Sequence, residues 1–497
     1  MKPQKFKIGK LEIIIFTGGA IVMILELIGS RLLAPYLGTS IFVWASLIGI
    51  ILGALSLGYY LGGRLSGKNP QLKFLTKVLF LAGLSILLIT LIKEPVLLAS
   101  MKLGIKTGSV FATLILFALP SIILGMVSPY AIRLKIENIE SSGGVSGNLY
   151  ALSTIGSIFG TFLAGFYLIP TFGSTQILFG LSLVLVITAL LGGEKIFKLI
   201  ALALIISIWI AYQFFPSPYV FEADSAYNHI RVKDLVDLRT GQTVRILYLA
   251  TEMHSIIYKD SDQLYAEYHK LYQLDSLFKP EIKKALTLGG GAYVAPIDFL
   301  KRFPKAEMTV VEIDPKVTEV AKKYFQLKTD PRLKIIHEDG RIFLNNNQET
   351  FDVIYGDAFA SFFSVPFHLT TEEAIEKIYN SLTSDGILVL NVISSIEGKK
   401  SIFFQAEYKT LKEYFRQIYV FPTYYFDQAS AINHQNLILI ATKNKNRLSK
   451  NELLEKANDS QKELVNQLWD QEIIVDPKIK VLTDDFAPVD FYISKLL

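Results

Sequence analysis

The sequence predicts an α-helical membrane bundle of about seven spans, joined to an α/β domain with a doubly wound, mostly parallel sheet. Three observations carry that prediction. Long apolar runs dominate from Gly18 to Phe215. Charged residues return at ordinary density from Pro216 onward. From residue 281, short apolar strands alternate with helical segments, the pattern of βαβ units.

The composition agrees. Of 497 residues, 51% are hydrophobic and only 19% charged, with a mean hydropathy of +0.38. That is too apolar for an ordinary soluble chain of this size. The length allows two or three domains. The absence of cysteine excludes disulfides, thiolate metal sites and cysteine nucleophiles. The net charge of +5 is what a membrane protein with basic loops carries, so no nucleic-acid partner is expected.

A spanning helix needs about 20 apolar residues. Seven stretches qualify, near 11–35, 41–63, 74–93, 108–131, 148–169, 174–193 and 196–215. The first follows four N-terminal lysines and runs on past Glu26 and Arg31. A signal peptide would end sooner, at a small-residue cleavage site, so this is read as a membrane span. Small residues recur in the second span (Gly49, Gly53, Ser56, Gly58) and the fifth (Ser153, Gly156, Ser157, Gly160, Gly165). Such residues let helices approach closely, and a transport path is the alternative reading. Glu26 and Arg31 are expensive inside a bilayer. They are read either as an ion pair or interfacial charges, or as a ligand or lipid-headgroup site.

Basic residues concentrate on the side of the N-terminus (Lys2, Lys5, Lys7, Lys10, Arg64, Arg133 and Lys195 among them). The positive-inside rule then places the N-terminus in the cytoplasm, and seven spans place the C-terminal half outside. A nucleotide-like cofactor argues for a cytoplasmic domain instead. The two expectations conflict.

After the expected bundle at 1–215, residues 216–280 read as a small β-rich module, with alternating runs at 229–234, 243–249 and 255–260 followed by helical spacing. Residues 281–497 read as a Rossmann-like, methyltransferase-type domain. Its strands are "KALTL", "MTVVEID", "LKIIHEDG", "FDVIYGD" and "GILVLNVIS", with two more near 418–426 and 436–442. Pro315 opens one intervening helix, where its missing N–H costs nothing.

Ligands in such sheets bind beyond the carboxyl ends of the strands. Gly289, Gly290 and Gly291 follow the first strand and let a ligand approach the backbone. Glu312 ends the second, where a carboxylate can accept bonds from ribose hydroxyls. Asp339 and Gly340 end the third, where the carboxylate could receive an adenine amino group. Asp357 ends the fourth, facing the place of a reactive group. No phosphate-loop lysine is present, which argues against an ATPase, and the histidines show no metal-ligand spacing.

At these residues the chain resembles the spermidine synthases, the polyamine aminopropyltransferases, in their membrane-fused form. The resemblance rests on "YNHI" at 227–230, "EYHK" at 267–270, "LGGGAYVAP" at 288–296, "VVEIDP" at 310–315, "EDGRIFL" at 338–344, "YGDAF" at 355–359 and "LTDDFAPVD" at 482–490. It extends to "ELIGSRLLAPYLGTSIFVW" at 26–44 and "GYYLGGRL" at 58–65. It implies aminopropyl transfer from decarboxylated S-adenosylmethionine to an amine, with release of methylthioadenosine and no metal. It assigns Glu312 to ribose, Asp339 to adenine, His254 to a cofactor-contacting position, and Tyr227, Tyr268 and His269 to the amine site. Asp357 falls on the catalytic aspartate.

Two departures stand out. Ala292 and Ala360 replace aspartates that soluble members carry beside the glycines and beyond the catalytic aspartate. The aromatic segment at 359–368 replaces a more polar gate and is consistent with an apolar substrate or with simple packing. Three readings follow: a membrane-bound aminopropyltransferase; an S-adenosylmethionine-dependent methyltransferase acting on a lipid or amphiphile; and a polyamine transporter or sensor with a non-catalytic domain. Membrane lipid and a small amine are the expected partners. A homodimer is the assembly that analogy with soluble members offers.

Overall fold

The computed structural model describes residues 9–67, 70–192, 199, 202–203, 205–210, 218–358, 365–424 and 431–494. The chain divides into two compact units: Met1–Ser217 with Ala223–Ala226, and Pro218–Glu222 with Tyr227–Leu497.

The first unit is helical: α1 (Lys10–Leu37), α2 (Ile41–Leu65), α3 (Leu72–Met101), α4 (Gly104–Gly125), α5 (Val127–Lys135) and α6 (Ile139–Leu163), then a helix over Ser174–Ala189. α4 runs almost directly into α5, and α6 continues to Thr171 through a π-helical turn. Counting these joined segments, five described helices are long and apolar enough to cross a membrane. The sixth expected span is the 16-residue helix Ser174–Ala189. At 1.5 Å per residue it is about 24 Å long, short of a ~30 Å hydrocarbon core. The seventh, 196–215, falls largely outside the described residues, as do Lys2, Lys5, Lys7 and Lys195. Residues 205–210 are helical, and Ile205 packs with Leu87, Phe179 and Val186.

The fifth expected span starts earlier than its apolar run. Asn138 caps α6 by accepting from the Ser141 amide at 3.0 Å, so the polar stretch from Ile139 is already helix. The small residues divide by helical angle. A Cβ on Gly58 would stand 2.3 Å from the Ile122 carbonyl oxygen, and one on Gly160 would stand 2.3 Å from that of Ala20. These are the close α2–α4 and α1–α6 approaches. Gly49 and Gly53 have nothing within 4 Å. Gly58 is nine residues beyond Gly49, about half a turn away at 100° per residue, so α2 has a packed glycine face and an open one.

Glu26 and Arg31 do not pair with each other, one of the alternatives the sequence leaves open. Arg31 donates to the Ala226 carbonyl at 2.9 Å and to that of Ser225. Glu26 has no hydrogen-bond or ion-pair partner among the described residues. Five residues apart, the two side chains leave α1 in different directions.

Beyond the helices the chain forms two sheets. Strands β1 (Phe221–Asp224), β2 (His229–Val236), β3 (Thr243–Leu249) and β4 (Glu252–Tyr258) form a four-stranded sheet in sequence order. The larger sheet comprises β5 (Lys284–Leu288), β6 (Glu307–Val311), β7 (Leu333–Ile336), β8 (Phe351–Gly356), β9 (Leu382–Ser394), β10 (Gln417–Pro422) and β11 (Gln435–Thr442), in the order β10-β11-β9-β8-β5-β6-β7. β5 to β9 pair in parallel, while β11 pairs antiparallel with β9 and β10. Except at the edge strand β7, its strands are largely buried, and two apolar clusters pack against the sheet. That is why they read as continuous apolar runs. The strand order reverses between β5 and β8, the point where open α/β sheets bind ligands.

Candidate functional site

Four strand ends meet at that switch point, and backbone hydrogen bonds continue the ladder past them. The Gly289 amide donates to the Val311 carbonyl at 2.9 Å, Glu312 to Ile336 at 3.0 Å, and Asp357 to Leu288 at 3.0 Å. Gly289, Glu312 and Asp357 are therefore side by side.

Gly289 has φ of +93°, a region only glycine adopts without strain. A Cβ there would lie 2.5 Å from the Asp357 carbonyl oxygen. The first and fourth strand ends are pressed backbone to backbone. Ala292 is fully buried, with its amide on Ser255 Oγ at 3.1 Å. Tyr293, at φ +60°, starts the helix Val294–Arg302. Its hydroxyl meets Thr318 Oγ1 at 2.7 Å.

Glu312 is 8% exposed. Its Oε2 accepts from the Gly290 amide at 2.8 Å and from Gly291 at 3.4 Å, and its Oε1 accepts from Asp314 at 2.9 Å. Burial raises its pKa above the ordinary value, and these amides hold the rise back. A carboxylate has about four acceptor sites, so one stays open for a hydroxyl.

Asp357 is partly exposed at its surface yet surrounded by dense protein, as expected of a group at the floor of a concave site. Its Oδ1 accepts from Asn391 Nδ2 at 2.9 Å. Burial pushes its pKa up, opposed by Asn391, by the Tyr272 hydroxyl and by His254. The Tyr272 hydroxyl faces the carboxylate without meeting hydrogen-bond geometry. A carboxylate with a raised pKa is a better proton acceptor than a surface aspartate.

The other expected residues divide. His254, on β4, contributes charge at Asp357, and its carbonyl accepts from the Tyr268 hydroxyl at 3.3 Å. Tyr268 adds an electrostatic contact with Asp357. His269 is only 4% exposed, with its ring 4.0 Å from that of Tyr268 and 5.9 Å from that of Tyr272. Its depth explains a pKa lowered to about 3. Asp339 uses Oδ1 to cap the helix Gly340–Asn346, accepting from Arg341 and Ile342 at 2.8 and 3.1 Å. Its Oδ2 remains, 3.5 Å from His368 Nε2. Tyr227 is 52% exposed ahead of β2. Ala360 and most of the aromatic segment lie outside the described residues.

Sequence reasoning missed Asn391 and Tyr272. Asn391 left a signal, a lone amide inside the apolar run "GILVLNVIS". Tyr272 left none, because its position on the helix Glu267–Tyr272 looks like core.

Residues 265–446 match the spermine/spermidine synthase domain. Over those residues the chain is spermidine synthase-like. A probable polyamine aminopropyl transferase of Bifidobacterium longum is 28% identical over 191 residues, covering 38% of this chain and 41% of that protein. A polyamine aminopropyltransferase of Vibrio vulnificus is 28% identical over 162 residues, covering 32% of this chain and 52% of that one. The chain thus spans about half the length of these relatives. Polyamine aminopropyltransferase 2 of Aquifex aeolicus is 23% identical over 415 residues, 76% of this chain and 78% of that one. A probable spermidine synthase structure from Corynebacterium glutamicum aligns at 21% identity, covering 48% of this chain and 87% of that one, with a TM-score of 0.41.

Proposed function

We propose that the protein is a membrane-bound transferase that moves an aminopropyl group from decarboxylated S-adenosylmethionine to an amine acceptor. The observation that carries this is Asp357, a carboxylate at the switch point with a raised pKa, pinned by Asn391 and packed backbone to backbone on Gly289. An amine attacks only after losing its proton. Asp357 would orient the amine and accept that proton, beside the place where the co-substrate's reactive carbon would sit. Glu312 would hold the ribose through its open acceptor site, and Asp339 Oδ2 would be left for the base. The sulfonium centre of the bound co-substrate supplies the leaving group.

The long apolar helices would anchor this unit in the cell membrane. We assign it to the cytoplasmic side, where such a co-substrate is made.

The buried Ala292 favours a second reading, methyl transfer from intact S-adenosylmethionine to an amphiphile, because no carboxylate stands there for an ammonium group. Full-length protein in detergent, given each co-substrate with a panel of amines and lipids, separates the two. We expect aminopropyl product and methylthioadenosine, and an Asp357→Asn variant with turnover down by about 10²–10⁴-fold but unchanged co-substrate binding. Methylated product would favour the second reading. Polyamine flux in liposomes that ignores Asp357→Asn, without any product, would point to a transporter.

A further inference from the structure

β4 (Glu252–Tyr258) begins after a two-residue turn in which Ala250 holds a φ of +59°. So short a turn fixes the register. Glu252 lies opposite Leu249, Met253 opposite Tyr248 and Ser255 opposite Leu247. His254 is the extra residue, a β-bulge of the kind that re-aims side chains beside sites. Opposed residues of an antiparallel pair share a face. Leu247 and Leu249 pack with Ala292 and Val294 in one apolar cluster. Glu252 and Ser255 therefore face the glycine loop, while Met253, 57% exposed, faces away.

Ser255 shows how near that face comes. Its Oγ accepts from the Ala292 amide at 3.1 Å, and a Cβ on Gly291 would stand 3.0 Å from it. Glu312, on the other side of the loop, accepts from the Gly291 amide. Glu252 is two ladder positions from Ser255, about 7 Å at the usual strand rise. It is half-buried, and it has no hydrogen bond or ion pair among the described residues. Burial raises its pKa, and no cation among those residues opposes the rise. A carboxylate taken from water ordinarily gains a partner, and one without a partner calls for a reason beyond packing. Beside a ligand site, the ligand itself can bring the cation.

Resting on the aminopropyl-transfer reading, we propose that Glu252 binds the ammonium of decarboxylated S-adenosylmethionine and selects it over the intact form, whose carboxylate it repels. Ala292 offers no anion from the glycine loop. Glu252 supplies one from the four-stranded sheet that covers the loop. A primary ammonium on a short aliphatic arm suits a lone carboxylate, since a charged donor and acceptor make the stronger bond.

The test uses full-length protein in detergent, titrated calorimetrically with three adenosyl thioethers: methylthioadenosine, S-adenosyl-3-thiopropylamine and S-adenosylhomocysteine. The first ends in a methyl group, the second adds an ammonium, and the third carries a carboxylate beside its ammonium. None has a sulfonium, so their ratios isolate the tail. Wild type should bind the thiopropylamine at least about tenfold more tightly than methylthioadenosine, as one charged hydrogen bond provides, and more tightly than S-adenosylhomocysteine. Glu252→Gln should bring the first ratio near one by weakening the thiopropylamine alone. Glu252→Asp should fall between. Absence of the preference in wild type, its survival in Glu252→Gln, or equal weakening of all three probes would overturn the assignment. Tighter binding of S-adenosylhomocysteine than of the thiopropylamine would overturn the selection and favour methyl transfer. Loss of the preference in Glu252→Gln without aminopropyl product from any amine would uphold the ammonium site and remove the transferase reading. Aminopropyl product with an unchanged ratio would do the reverse.

Discussion

The side-chain amide of Asn391 donates to Asp357 Oδ1 at 2.9 Å, and Asn391 Oδ1 in turn accepts from Asn436 Nδ2 at 3.0 Å. β9 and β11 thus steady the carboxylate at the end of β8. The bond stabilises the charged form, so it holds the pKa of Asp357 down against burial. Replacing Asn391 with Leu removes that donor and raises the pKa further. The acid limb of the pH–rate profile should move to higher pH. Once the limb has passed neutral pH, kcat there should fall about tenfold for every further tenfold change in acidity at its midpoint. A purely structural role would lower the amount of active enzyme and leave the limb where it is.

Gly289→Ala should destabilise the fold and the site together. It combines a positive φ with a 2.5 Å approach to the Asp357 carbonyl oxygen. Gly241, in the β2–β3 turn, has φ +70° and nothing within 4 Å, so Gly241→Ala carries the backbone strain alone. Denaturant unfolding should show about 1 kcal/mol lost at Gly241 and about 1–3 kcal/mol more at Gly289. Activity should fall only in the second variant.

His269 predicts an acid-sensitive fold. Its folded pKa is depressed to about 3 by burial, below the 6.5 of a free histidine. Below pH 6.5 the unfolded chain takes up a proton that the folded chain refuses. Stability is therefore full above pH 6.5 and declines as pH falls towards 3. At pH 5.5 the loss from this residue is about 1.4 kcal/mol. His269→Phe should flatten the Tm-versus-pH slope between pH 6.5 and 5, whatever its effect on Tm at neutral pH.

Sidedness can be read cleanly because the chain has no cysteine of its own. Leu238 is 95% exposed in the β2–β3 turn, so Leu238→Cys makes a single reporter. In intact cells it should resist a membrane-impermeant maleimide and react after permeabilisation. Labelling in intact cells would place the unit outside and remove the cytosolic co-substrate from the argument.

Apolar run length and βαβ alternation are local signals, so the order of residues alone reveals which segments become helix or strand. It also puts Gly289–Gly291, Glu312 and Asp357 directly after their strands, while Asp339 falls three residues past the third strand, at the cap of the next helix. It leaves Glu26 and Arg31 open, because the partner of a charge depends on which neighbour the side chain reaches, and Arg31 turns to backbone carbonyls. Three-dimensional packing was needed to bring Asn391, 34 residues beyond Asp357, onto its carboxylate. Packing also left Glu407 buried with a carboxyl oxygen unpartnered among the described residues. Those outcomes depend on how sheet and helices meet, and spacing along the chain carries no record of that.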